Sequence, residues 1–180
     1  MIPVFDLFLV LFIGLAAGFD LWERRIPNWL VLLAMIGGIL LNVCKGMPQL
    51  AGSVCGLVLG VGIFMIPFAL GWLGAGDVKL VGAVGAVLGV QQLPRVIFYS
   101  AILGGVFSLI VIALRRMRPQ ALQGTWRDMQ LLILSQGAVL PETISARSRK
   151  GAGTIPYGVA IGCGTLVAFY VDPRGDWAGF

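Results

Sequence analysis

The sequence predicts an all-α, polytopic transmembrane bundle of about six helices, and three observations carry that expectation. Hydrophobic residues make up 58% of the 180-residue chain and charged residues 12%, with a mean hydropathy of +0.95. Soluble domains carry roughly 25% charged residues, so water is not the main solvent here. Apolar runs recur along the chain and end at clusters of charge or proline. Glycines also fall at four-residue spacing, as in Gly14 and Gly18, Gly52 with Gly56 and Gly60, Gly85 and Gly89, and Gly158 and Gly162. That spacing lets helix backbones approach closely in lipid. Residues 1–180 are read as one membrane-embedded domain with no large soluble part.

The first span is read over residues 3–19. No basic stretch precedes it, and it ends in Phe19-Asp20 rather than at a small-residue cleavage site, so it is expected to be retained as a helix. The second and third spans are read over 29–43 and 50–70. The fourth, over 78–90, is only about 20 Å long as a helix, too little for a hydrocarbon core of about 30 Å. The preceding stretch Gly71-Trp72-Leu73-Gly74-Ala75-Gly76-Asp77 is therefore expected to be irregular backbone, buried in protein or lining a wet cavity. The fifth and sixth spans are read over 96–114 and 155–171. Between them, residues 126–140 are apolar but interrupted by Gln130, Ser135 and Gln136, which suits an interfacial segment better than a span.

The loops orient these spans. With the N-terminus outside, the inner side holds Arg24, Arg25, Lys79, Arg115, Arg116, Arg118, Arg127, Arg147, Arg149 and Lys150. Only Lys45, Arg95 and Arg174 then lie outside. Basic residues concentrate in cytoplasmic loops, so residues 115–153 are expected to be a cytoplasmic loop, with Asp20 and Asp77 on the same side. The net charge of +5 is thereby a topology signal, and the partner it implies is a lipid bilayer rather than nucleic acid.

The residue inventory narrows the chemistry. There is no histidine, which removes Ser-His and Cys-His nucleophile pairs and the commonest metal ligand. Cys44, Cys55 and Cys163 form no CxxC pair, so they read as packing residues rather than as metal ligands or a disulfide framework. No metal site is expected. Of eight acidic residues, Asp6, Asp128, Glu142, Asp172 and Asp176 fall in the tail, the inner loop or the far end of the first helix. Asp20 and Asp77 instead sit at the same-side ends of two spans. An ionisable group at membrane depth is costly and marks function by default. The structural alternative is that Asp20 is a juxtamembrane charge and Asp77 an N-cap of the fourth helix. Gly74 and Gly76 leave room beside Asp77 for the backbone to bend and for its carboxylate to face a cleft, so both are expected to shape that cleft. Two carboxylates sharing a proton activate water without metal or histidine.

The stretch Asp20-Leu21-Trp22-Glu23-Arg24-Arg25-Ile26-Pro27-Asn28 resembles the first aspartate motif of the bacterial prepilin peptidases. Gly74-Ala75-Gly76-Asp77-Val78-Lys79-Leu80 resembles their GxGD motif. Ile155-Pro156-Tyr157-Gly158-Val159-Ala160-Ile161 is similar to the segment that opens the family's last core helix. The three matches occur in the family's order and span most of the chain. The resemblance implies an intramembrane aspartyl protease that trims the short leader of type IV pilin precursors at the cytoplasmic face of the inner membrane. It places Asp20 and Asp77 as the catalytic pair and Pro156, Tyr157 and Gly158 as supporting or substrate-contacting residues, and it implies no cofactor. Lys79 has two readings, support of Asp77 or substrate on one side and snorkelling to lipid phosphates on the other. Arg24 and Arg25 read as topology anchors and Pro27 as the start of helix two. CxxC is absent and only about two residues precede the first helix, unlike the long form of the family, so methyl transfer to the trimmed pilin is not expected. The size and wording look most like the short peptidases of Tad, or Flp-pilus, systems. Two other classes use the same features: a small proton- or cation-coupled transporter, and an inactive scaffold of a secretion complex.

Overall fold

The computed structural model describes residues 4–23, 25–70, 73–114 and 157–171. The expected cytoplasmic loop 115–153, the segment 126–140, the outer tail, Arg24 and Pro156 lie outside them. Among the described residues six helices are formed: α1 (Val4–Glu23), α2 (Asn28–Val43), α3 (Met47–Ala69), α4 (Ala75–Leu88), α5 (Leu93–Leu114) and α6 (Tyr157–Leu166), which runs on into a π-helical turn, Val167–Val171. There is no strand among the described residues. Helices α1, α3 and α5 are long and apolar enough to cross a membrane, and α2 and α6 with its π-turn are shorter apolar helices. The fold is an all-α membrane bundle.

Local chemistry sets the helix starts. Pro27 is extended (φ −61°, ψ 134°), and its carbonyl accepts from the amides of Leu30 and Val31 at 3.2 and 3.3 Å, so α2 begins at Asn28. Gly46 turns the chain into α3 at φ 118°, a backbone conformation that other residues rarely adopt, and Pro48 occupies the first turn.

The bundle is organised around α4. Nine of its fourteen residues are buried, whereas α3 buries four of twenty-three, so α4 is enclosed while α3 is peripheral. Helices α2 and α3 flank it through small residues. Gly56 of α3 and Gly85 of α4 meet backbone to backbone, a Cβ on Gly60 would stand 3.0 Å from the Val81 carbonyl oxygen, and Gly38 of α2 lies against Val87. On the other side α6 packs between α1 and α5, with Gly162 against Ile13 and Gly164 against Ser100. The core joins Leu9, Ile13, Leu30, Val31, Leu80, Val81, Val84 and Ile161. The outer faces present Leu7, Leu11, Leu15, Leu32, Leu40, Val58 and Ile66. An apolar exterior over a small-residue interior is what lipid requires.

At about 21 Å, α4 stops short of a full crossing, and its last carbonyls need partners inside the protein. The buried Asn42 side chain of α2 donates to the carbonyls of Ala86 (3.2 Å) and Val87 (2.9 Å). Ser53 of α3 also donates to Ala86. Beyond Gly89 (φ 83°), the Val90 amide donates to the Gly52 carbonyl at 2.9 Å.

Four expectations change. Helix α1 runs to Glu23 instead of ending near Phe19, so Asp20 lies within its last turn; the carboxylate finds partners inside the bundle and the helix has no reason to stop there. Ala75 and Gly76 are helical rather than irregular, because first-turn residues need no internal acceptor and Asp77 caps the turn they open. Gly14 and Gly18 have no neighbour within 4 Å of an added Cβ, so that pair of the glycine spacing mediates no contact among the described residues. Cys44 and Cys55 are exposed and Cys163 half-buried, all three free, so only Cys163 fits the packing role.

Candidate active site

Asp20 is a polar residue sealed into the bundle, 7% exposed, and it is the only acid among the buried described residues. It reaches across to the start of α6, where the Val159 amide donates to its Oδ2 at 3.2 Å and the Gly158 amide adds a second contact. First-turn amides have no partner within their own helix and carry the positive end of the helix dipole, so they suit a carboxylate. The approach requires glycine. A Cβ on residue 158 would sit 2.7 Å from Asp20 Oδ2 and 3.2 Å from Ile26 Cδ1.

Asp77 occupies the third position of α4. Gly74 before the helix is extended (φ −81°, ψ 153°), and its amide donates to Asp77 Oδ2 at 3.1 Å. Glycine has no side chain to return the bond, so this is the acidic half of a capping box. Asp77 thus does cap α4. The two carboxylates also lie close enough for the Asp20 charge to act on Asp77, and the Tyr157 hydroxyl is within electrostatic reach of Asp77. Three helices therefore meet at one point: the end of α1 and the starts of α4 and α6. Ile26 fills the space between them, its Cδ1 near Gly158 and its Cβ 4.0 Å from where a Gly76 Cβ would be.

The remaining candidates occupy distinct positions. A Cβ on Gly74 would stand 3.3 Å from Asp77 Oδ2, a tight approach, whereas one on Gly76 would meet only Ile26 at ordinary distance. The Lys79 Nζ donates to Asn28 Oδ1 at 2.9 Å, tying α4 to the first residue of α2 at an exposed position. Sequence reasoning did not single out Ile26, nor Asn28 as the partner of Lys79. Ile26 stands between two motif residues, and that was the available signal.

The family model for the type IV leader peptidase family matches residues 7–109, a stretch that includes both aspartates. This chain belongs to that family. Among its relatives is the prepilin leader peptidase/N-methyltransferase of Aeromonas salmonicida (strain A449), 34% identical over 106 residues, covering 53% of this chain and 35% of that protein. The protein of the same name from Dickeya chrysanthemi is 31% identical over 117 residues, covering 61% and 41%. That of Neisseria gonorrhoeae is 28% identical over 99 residues, covering 51% and 35%. The matched stretches thus take in roughly a third to two fifths of each relative's length. No solved structure matches the chain.

Proposed function

We propose that this protein is a prepilin leader peptidase of the aspartyl type, with Asp20 and Asp77 as its catalytic pair. The observation that carries the proposal is that the end of α1 and the starts of α4 and α6 bring the buried Asp20 and the half-buried Asp77 to one site, each held by a backbone amide at a helix start and both beside Ile26. Two carboxylates at one site, each acting on the other, do not both ionise easily, and a pair holding one proton can act as acid and base together. The ionised member takes a proton from water as its oxygen attacks the scissile carbonyl carbon, and the protonated member gives its proton to the carbonyl oxygen. The C–N bond of the resulting tetrahedral intermediate then breaks, its nitrogen taking the proton that came from water while a hydroxyl of the intermediate returns its proton to the other carboxylate as the C=O re-forms, so the pair again holds one proton.

The substrate class follows from the family, in which relatives are named for prepilin leaders. We assign the precursor of a type IV pilin of the Flp kind as the partner, cut at the cytoplasmic face of a bacterial inner membrane, on the strength of the basic bias of the loops and the motif wording. Methyl transfer is not assigned, since the three cysteines form no CxxC. Purified protein in detergent, incubated with a pilin precursor, should release the leader and leave a mature chain of defined new N-terminus. A transporter or a scaffold would leave the precursor intact.

A further inference from the structure

Helix α5 holds no acid and none of the motif residues, yet it touches the site at Gly104. Tyr157, the first residue of α6, lays one ring edge on Gly104 of α5. A Cβ on Gly104 would stand 2.6 Å from Tyr157 Cε2, 3.3 Å from Cζ and 3.4 Å from Cδ2. Cζ carries the hydroxyl, so the contact fixes the part of the ring that bears it. The next glycine, Gly105, has nothing within 4 Å of an added Cβ, so the notch is one residue wide. The same ring is packed against the core and has its hydroxyl within electrostatic reach of Asp77, while the adjoining Gly158 and Val159 hold Asp20. Any displacement of Tyr157 is therefore passed to Asp20 through the adjoining Gly158 and Val159.

We propose that Gly104 is a notch that seats the Tyr157 ring and so fixes the start of α6 with the hydroxyl it carries, making both residues positioning residues for the aspartate pair. The inference rests on the peptidase reading above. In an antiparallel pairing of α5 and α6, Ser100 faces Gly164 and Gly104 faces Tyr157, and α5 continues ten residues further, about 15 Å of helix. Gly104 itself is buried and Tyr157 half-buried, so the ring is seated against packed backbone. Alanine at 104 must push the ring edge away by about 0.8 Å to reach an ordinary contact.

The test is steady-state cleavage of a pilin precursor by purified variants. Gly104→Ala should lower kcat by about 10- to 100-fold while KM changes little, because positioning errors of this size fall on the chemical step. Tyr157→Phe keeps the ring in the notch and removes only the hydroxyl. It should accumulate and melt like the wild type yet lose about tenfold in kcat, which a purely structural role would not produce. The double variant should be scarcely slower than Gly104→Ala alone, and Gly105→Ala should cut normally. Tyr157→Phe cutting at the wild-type rate would overturn the inference alone, as would wild-type kcat in Gly104→Ala. Should Gly104→Ala fail to accumulate, Tyr157→Phe decides by itself. A wild-type protein that leaves the precursor intact would overturn both this inference and the peptidase reading beneath it.

Discussion

Gly158→Ala perturbs the pair by one carbon. The added Cβ would lie 2.7 Å from Asp20 Oδ2 and 2.9 Å from Cγ, where ordinary contact begins near 3.4 Å, so about 0.7 Å must be found. The carboxylate cannot retreat freely. It is fixed through Oδ2 to the Val159 amide, and Ile26 Cδ1 closes the other side of the same position at 3.2 Å. Either Asp20 rotates off those donors or the start of α6 moves away from α1, and both separate the catalytic carboxylates from their working geometry. A misplacement approaching 1 Å costs on the order of 100-fold in rate, or about 2.7 kcal/mol of transition-state stabilisation. Purified Gly158→Ala should therefore lose about two orders of magnitude in kcat/KM on a pilin precursor, followed by the appearance of the shortened chain on a gel or by mass. Gly105→Ala, with open space at its Cβ, controls for adding a methyl group to a bundle helix. Cleavage by Gly158→Ala within about threefold of the wild type, in protein that is monodisperse, would refute the argument that this glycine exists to admit Asp20.

Other substitutions separate stability from catalysis. Asn42→Leu strips the Ala86 and Val87 carbonyls of their shared donor inside the bundle, which should cost about 1 to 3 kcal/mol; the thermal midpoint in detergent should drop while the folded fraction still cleaves. Lys79→Met and Asn28→Ala each break one exposed bond between α4 and α2, so each should change stability by about 1 kcal/mol or less and cleavage by less than about tenfold. A much larger loss of cleavage in Lys79→Met, with Asn28→Ala unaffected, would assign Lys79 to the substrate instead. Replacing Cys44, Cys55 and Cys163 together by alanine should leave proteolysis largely intact, since two are exposed and none has a partner base or thiol; loss of activity in a well-folded triple variant would contradict that reading.

The helices were legible because apolar runs in lipid are a strong, one-dimensional signal. The aspartates were legible because charge inside such runs is rare. What stayed hidden is pairwise. Hydropathy ends a span at the first charge, so it stops α1 near Phe19 and leaves Asp20 outside the helix that carries it. The end of α4 was underdetermined for the same reason: its carbonyls are satisfied by Asn42 and Ser53, two polar residues inside other apolar runs whose partner no periodicity reveals. Glycine spacing was informative only in part, since Gly56 and Gly85 meet while Gly14 and Gly18 face nothing among the described residues. The Gly104 notch carries no spacing signal at all, because its partner Tyr157 lies more than fifty residues away and the contact depends on how α5 and α6 align.

The most direct measurement compares leader cleavage by the wild type with cleavage by Asp20→Asn, Asp77→Asn and the double variant in one precursor assay. An amide can neither take a proton from water nor complete a pair that shares one, so each single substitution should abolish cleavage nearly completely. Because the two groups act as a unit, the double substitution should be scarcely worse than either single one. All three variants should accumulate in the membrane, since removing a charge near lipid does not hinder insertion. Substantial cleavage by either Asp20→Asn or Asp77→Asn would contradict the assignment of these two residues as the catalytic pair.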